Sequence, residues 1–185
     1  RLEAALGQKE EEFHNIIKMG RTQMQDAVPI RLGSEFGAYR KAIQRDLVRL
    51  NRALEGMYAV NMGGTAVGTA LNANPAYVDA LAPELAKITG LPLVKADDLI
   101  DGTQNLDGFV NVSGIIKTCA VNLSKMSNDL RLMSSGPRTG LAEINLPPKQ
   151  NGSSIMPGKV NPVIPEVMSQ VAFNIIGNDT CITMA

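Results

Sequence analysis

The run FVNVSGIIKTCAVNLSKMSNDLRLM, residues 109–133, decides the fold class. Phe109, Val112, Ile116, Cys119, Leu123, Met126, Leu130 and Met133 recur at alternating steps of three and four, the seam of a heptad helix. The seam stops at Ser134-Ser135-Gly136-Pro137. A helix of roughly 30 residues is about 45 Å long at 1.5 Å rise per residue. That exceeds what a small compact domain needs and points to a bundle of long helices, shared between subunits.

The flanking segments extend the same reading. Beyond a loop at 137–160, Pro162 fits an early helix position. Val163, Ile164, Val167, Met168, Val171, Ala172, Phe173, Ile175, Ile176 and Ile182 then make the run to the C-terminus apolar nearly all round. A helix without a wet face is expected to be buried on every side, by absent parts of the chain or by other copies.

Upstream, Phe36, Tyr39, Ile43, Leu47, Leu50, Leu54 and Met57 mark one long amphipathic helix from Glu35. Residues 1–17 read as the end of a charged helix, and MGRTQMQDAVPIRLG (19–33) breaks the period and reads as extended or looped. NMGGTAVGTALNANPAY (61–77) reads as a loop or close-packed connection. A helix follows at 76–89, with Pro75 in its first turn and Gly90 at its end. LPLVKADDLIDGTQNLDG (91–108) reads as a polar loop. No strand-rich region appears, so the class is all-α, a long-helix bundle. RLEAALGQKEEEF opens without methionine or N-cap and CITMA stops inside an apolar run, which reads as an excised piece of a longer polypeptide.

Composition excludes several function classes. Lys plus Arg balances Asp plus Glu at 18 each, so no net field favours nucleic acid or an acidic membrane. Aromatics are 4% with no Trp, which argues against a stacking platform for bases. With one histidine and two distant cysteines, a zinc site from this chain is not expected. Cys119 and Cys181 fall on apolar stripes and read as reduced core thiols of a cytoplasmic protein. No segment is apolar and long enough to span a bilayer.

Most candidate chemistry reduces to bland readings. His14 lies among charges and reads as solvated. The Gly63, Gly64 and Gly68 cluster lacks a dinucleotide or phosphate-loop spacing, and Asp97, Asp98 and Asp101 read as caps and solvated charges. The loop at 152–162 is different. Ser153, Ser154, Lys159 and Asn161 gather within nine residues, between Gly152 and Gly158, which permit unusual backbone angles. Such a set suits a carboxylate, with Lys as point charge and hydroxyl and amide as directional donors. It suits still better an intermediate with extra charge on that carboxylate. A plain interhelical turn is the alternative, and spacing does not choose between them.

A resemblance adds to that balance. GSSIMPGKVNP (152–162) resembles the signature loop of the fumarase/aspartase superfamily. GRTQMQDAVP (20–29), MGGTAVGTALNA (62–73), VNLSKMSNDLRLMSSGPRTGLAEINLPP (121–148) and GND (177–179) agree in order, so the resemblance covers essentially the whole chain. Thr22-Gln23, where fumarases carry Thr-His, and INLPPKQNGSSIMPGKVNPVIPEV favour the aspartase branch, with class II fumarase as the alternative.

The resemblance implies an anti elimination of ammonia from L-aspartate, giving fumarate through an aci-carboxylate. Ser153 would be the general base. Ser154 and the amides around Ile155 and Met156 would hold the adjacent carboxylate, and Lys159 and Asn161 the other. Thr22 and Gln23 would contribute to carboxylate or amine recognition. Glu166 matches the position that pairs with the fumarase histidine and would orient Gln23 or cap its helix. The resemblance further implies a homotetramer with active sites assembled from three subunits. Residues 1–185 would form part of the central helical domain, with N- and C-terminal domains absent and the isolated piece catalytically incomplete. No cofactor is implied, and divalent-cation activation is left open. A structural protein, as in lyase relatives that serve as lens crystallins, is the competing class; the loop chemistry argues against it.

Overall fold

Alternating three-and-four spacing over a long run leaves the chain few options but helix, and the computed structural model, which describes residues 1–185, is built mainly of helices. In chain order the elements are α1 (Leu2–Glu12), β1 (Ile17–Thr22), β2 (Gln25–Arg31), α2 (Leu32–Glu55), β3 (Ala59–Val60), α3 (Pro75–Thr89), β4 (Val94–Lys95), α4 (Leu99–Gln104), α5 (Asp107–Met133) and α6 (Val163–Met184). They group into two compact units, Arg1–Val48 with Ile116–Cys181, and Arg49–Ile115 with Ile182–Ala185.

The first unit holds the larger core. Leu6, Leu32, Phe36, Ile43, Met126 and Met133 are buried together, with Phe13, Tyr39, Leu123, Leu130 and Ile144 packed against them. Phe36 takes Phe13 edge-on at 5.2 Å and Tyr39 edge-on at 5.8 Å between ring centroids, the arrangement the ring quadrupoles favour. Polar pins cross this apolar contact. Asp46 of α2 is 2% exposed and accepts from Asn122 Nδ2 of α5 at 3.0 and 2.9 Å. A buried carboxylate that loses donors bears its desolvation cost. Asn122→Leu is therefore expected to destabilise by about 1–3 kcal/mol in a denaturant titration, although it adds apolar volume. Farther along, Lys117 of α5 pairs with the buried Asp179 of α6.

In the second unit the termini of α3 follow the sequence signals. Asn74 caps it by accepting from Ala76 N at 2.9 Å, Pro75 opens it, and Gly90 closes it in the left-handed conformation at φ 71. β3 and β4 pair in parallel, and Val78 and Ala82 of α3 are buried. Asp98 accepts from the amides of Ile100 at 2.7 Å and Asp101 at 3.2 Å, and so starts α4. This short helix lies inside the stretch read as loop, because six residues are too few to show a period.

Four details depart from the sequence reading. The strand content is small but not zero, and β1 with β2 forms a hairpin where the chain reads as extended or looped. Along the seam of α5, Met126 and Met133 are buried, whereas Phe109 is 59% and Ile116 41% exposed. On α6 only Ser169, Ala172 and Asp179 are buried, and Phe173 (62%), Ile164 (61%) and Val167 (53%) face outward. Cys119 is half-buried, but Cys181 is exposed and not a core thiol of this chain. One cause covers the last three: a single chain supplies neighbours for one side of each long helix.

Candidate active site

The segment carrying Thr22 and Gln23 folds back sharply. β1 pairs antiparallel with β2, Thr22 stands opposite Gln25, and the two residues between them make the turn. Gln23 and Met24 have φ of 51° and 63°, the positive pair that a two-residue hairpin of right-handed twist demands. Neither is Gly, Asn or Asp, so the turn holds side chains in a region they rarely occupy. A register shift between Met19 and Arg21 marks a bulge, which sharpens the local twist. Thr22 and Gln23 are both exposed at the tip.

Below the tip lies a charged cluster that spacing alone does not reveal. Lys18 and Arg21, three apart on β1, converge on Glu143: Arg21 Nη1 donates to Oε1 at 2.6 Å, and Lys18 Nζ lies 3.0 Å from Oε2. The second contact is an ion pair bent away from hydrogen-bond geometry. Lys18 also donates to Glu35 of α2 at 3.1 and 3.0 Å, and Arg21 Nε reaches Asp26 at 3.3 Å. Burial pushes the Glu143 carboxyl up, but the hydrogen bond from Arg21 and the positive charges of Arg21 and Lys18 outweigh it and leave the group below its ordinary value. The hydrogen bond to Glu143 raises Arg21 above its own. Both groups therefore stay charged at neutral pH.

These cations border an open cleft of about 280 Å³ whose walls include Glu35, Tyr39, Lys125 and Asp129. Tyr39 Oη donates to Asp129 Oδ2 at 2.9 Å, and burial, with the Asp129 charge, pushes its phenol up. Lys125 pairs with Asp129 and stands 5.4 Å from the Tyr39 ring centroid. The lining holds cations (Lys18, Arg21, Lys125) and carboxylates (Glu35, Asp129) together, so it carries both charge signs.

The chain then leaves α5, passes Glu143 and enters the loop. Gly152 lies so close to the opposite arm that a Cβ there would sit 2.6 Å from the Lys159 carbonyl oxygen. This approach forms a neck, and Ser153 and Lys159 flank it on facing arms. Beyond the neck, Lys159 N donates to Met156 O at 3.2 Å, and Gly158 takes φ 86°. Ser153 Oγ accepts from Ile155 N at 3.3 Å. An amide aimed at a serine oxygen favours its anionic form. Ser153 and Asn161 are half-exposed; Ser154, Met156 and Lys159 are exposed. Val163 N donates to Asn161 O at 2.9 Å, which ties the loop to the start of α6.

The backbone of Gly152, next to Ser153, and that of Lys159 thus come together, but no hydrogen bond or ion pair joins the side chains of Ser153, Ser154, Lys159 and Asn161 to one another or to Thr22 or Gln23. Glu166 lies in the first turn of α6, where the helix dipole favours a carboxylate, and faces Arg131 at 3.9 Å instead of Gln23. His14 is exposed, with Nε2 2.6 Å from Arg31 Nη1, consistent with its solvated reading. Lys18, Arg21 and Glu143 are the polar groups the reading of motifs passes over. Arg21 and Glu143 do fall inside the quoted GRTQ and AEI stretches, which is the signal that points to them.

Comparison with known proteins gives the family of the chain. Over 178 residues the chain is 58% identical to the aspartate ammonia-lyase of Bacillus subtilis, covering 96% of this chain and 38% of that relative's length. The cobalt-bound crystal structure of the fumarate lyase:delta crystallin from Brucella melitensis superposes with a TM-score of 0.94 at 52% identity, covering all of this chain and 40% of that one. The class II fumarase of Schistosoma mansoni superposes with a TM-score of 0.95 at 37% identity, over all of this chain and 42% of that one. Fold alone therefore does not separate the two chemistries, whereas identity leans toward the ammonia-lyases. The sequence profile of the family described as Lyase matches residues 1–177, and the chain belongs to that family.

Proposed function

We propose that the protein to which this chain belongs is an aspartate ammonia-lyase, acting in the cytoplasm, with residues 1–185 as part of its central helical domain. The observation that carries the reading is the pinched loop, which sets Ser153 and Lys159 on facing arms of one neck, in a chain 58% identical to an aspartate ammonia-lyase. Ser153, as alkoxide, takes a proton from Cβ of aspartate. The C–H electron pair moves into the adjacent carboxylate, giving an aci-carboxylate dianion. Its collapse forms the Cα–Cβ double bond, breaks the Cα–N bond and releases ammonia and fumarate.

Serine needs help to act as a base. The Ile155 amide favours the alkoxide, and the Lys159 charge would add to it when the loop closes on substrate. Ser154 and the Ile155 and Met156 amides hold the carboxylate that gains charge, where donors lower the barrier most. Lys159 and Asn161 hold the other carboxylate, and Thr22 and Gln23 complete recognition of carboxylate or amine. Glu166 orients the start of α6 and not Gln23, in keeping with its place beside Arg131.

The outward apolar residues of α6 support a homotetramer in which other copies cover them and complete each site. On this reading the 185-residue piece alone does not turn over aspartate. The test is to incubate the full-length protein with L-aspartate and with L-malate and follow fumarate absorbance. A signal from aspartate alone, from a protein that light scattering sizes as a tetramer, is expected; a signal from malate alone would make it a fumarase.

A further inference from the structure

Glu143 is fixed from two directions. Its own backbone is tied to the end of α5: Glu143 N donates to Met133 O at 2.8 Å, and Ala142 N to Ser135 O at 2.8 Å. Its carboxylate reaches the hairpin through Arg21, the residue next to Thr22, and through Lys18. Arg21 in turn spans both strands, because Asp26 is its partner across the ladder. The hairpin tip, meanwhile, holds Gln23 and Met24 at positive φ. Backbone of that kind persists only where its surroundings over-determine it, and it clusters at functional sites. No other ionic tie links this hairpin to the segment that leads into the Ser153 loop; Lys18–Glu35 reaches α2 instead.

We propose that Arg21 and Glu143, supported by Lys18, are positioning residues that fix the Thr22–Gln23 turn relative to the segment feeding the Ser153 loop. The clamp touches no reacting atom. It sets where the turn presents its hydroxyl and amide, and so sets how well substrate is held. This rests on the active-site reading of the turn and loop. Lys18 and Arg21 share Glu143, and each has a second carboxylate, Glu35 for Lys18 and Asp26 for Arg21, so both cations of the cluster are paired within it.

The experiment uses the full-length protein with Glu143→Gln, Arg21→Gln, the double variant and Arg21→Lys. Steady-state kinetics on L-aspartate are combined with hydrogen exchange read by mass spectrometry on peptides covering 17–31. Each Gln variant is expected to raise KM about tenfold with a smaller change in kcat, since misplacing a binding group by about 1 Å costs up to about a hundredfold in kcat/KM. The double variant is expected to be no worse than the worse single, because the two residues share one interaction. Arg21→Lys keeps the charge but loses the forked geometry, and is expected to fall between wild type and Arg21→Gln. It also keeps the test open should a Gln variant fold poorly.

A KM unchanged in every single variant, or a double effect equal to the product of the singles, would overturn the clamp. Wild-type protein inert toward aspartate would sink the aspartase reading instead. The clamp would then stand if Glu143→Gln speeds exchange at 17–31 while α5 stays protected, and fall if exchange is unchanged.

Discussion

Ser153→Ala in the full-length protein is expected to lower kcat for fumarate formation from L-aspartate by about a thousandfold, the scale on which a positioned general base acts. The substitution removes one hydroxyl from a half-exposed loop position whose only hydrogen bond is local, from Ile155 N. Nothing in the core rests on that oxygen, so far-UV circular dichroism and the thermal midpoint are expected to match wild type. Lys159 and Asn161 remain, so KM is expected to change much less than kcat. A neighbouring change supplies the contrast. On the proposed roles Ser154→Ala removes a donor to the carboxylate and not the base, and is expected to cost about a hundredfold, as loss of one donor to developing charge does. Equal losses in the two variants would mean that the roles within the serine pair are not divided as proposed.

Gly68→Ala is expected to be the most destabilising single methyl addition in the second unit. Gly68 has φ 85°, and a Cβ there would lie 2.4 Å from Ile100 Cα, 2.5 Å from Ile100 N and 2.5 Å from Leu99 O. All three atoms are backbone at the start of α4, so no side chain can swing aside. The left-handed conformation costs a non-glycine residue about 1–2 kcal/mol and the overlap about 1–3 kcal/mol more, together roughly 2–5 kcal/mol. Gly90→Ala isolates the first contribution, because Gly90 has φ 71° but nothing within 4 Å of its added Cβ. Guanidinium unfolding of the full-length protein is expected to show Gly68→Ala losing about 1–3 kcal/mol more stability than Gly90→Ala loses. Equal losses would mean that the loop at 61–74 rearranges and relieves the contact.

Long elements were legible because period accumulates with length. The seam from Phe109 to Met133 places α5, and the Pro75 and Gly90 signals place both ends of α3. Short elements were not: α4 has six residues, and the hairpin turns on Gln23-Met24, which carries none of the Gly, Asn or Asp that ordinarily announces such a turn. Burial was legible only as an average over whatever covers each helix. The apolar rotation of α6 says that Phe173 and Ile164 meet apolar partners, yet not whether those partners lie in this chain. The candidate loop was visible as a cluster of donors within a few residues. The Arg21–Glu143 tie was not, since 122 positions separate its members and charge pairing at that distance leaves no local pattern.

The central claim is that the pinched loop holds aspartate with Ser153 aimed at the Cβ hydrogen. A crystal structure of the full-length Ser153→Ala protein soaked with L-aspartate tests it most directly, because the variant is expected to keep the site and stop the reaction. The expected result is aspartate within the closed loop, Lys159 Nζ and the Asn161 amide on one carboxylate, and residue 153 about 3–4 Å from the substrate Cβ, near-attack range. Aspartate bound with its Cβ turned away from residue 153, or bound outside the loop altogether, would contradict the account.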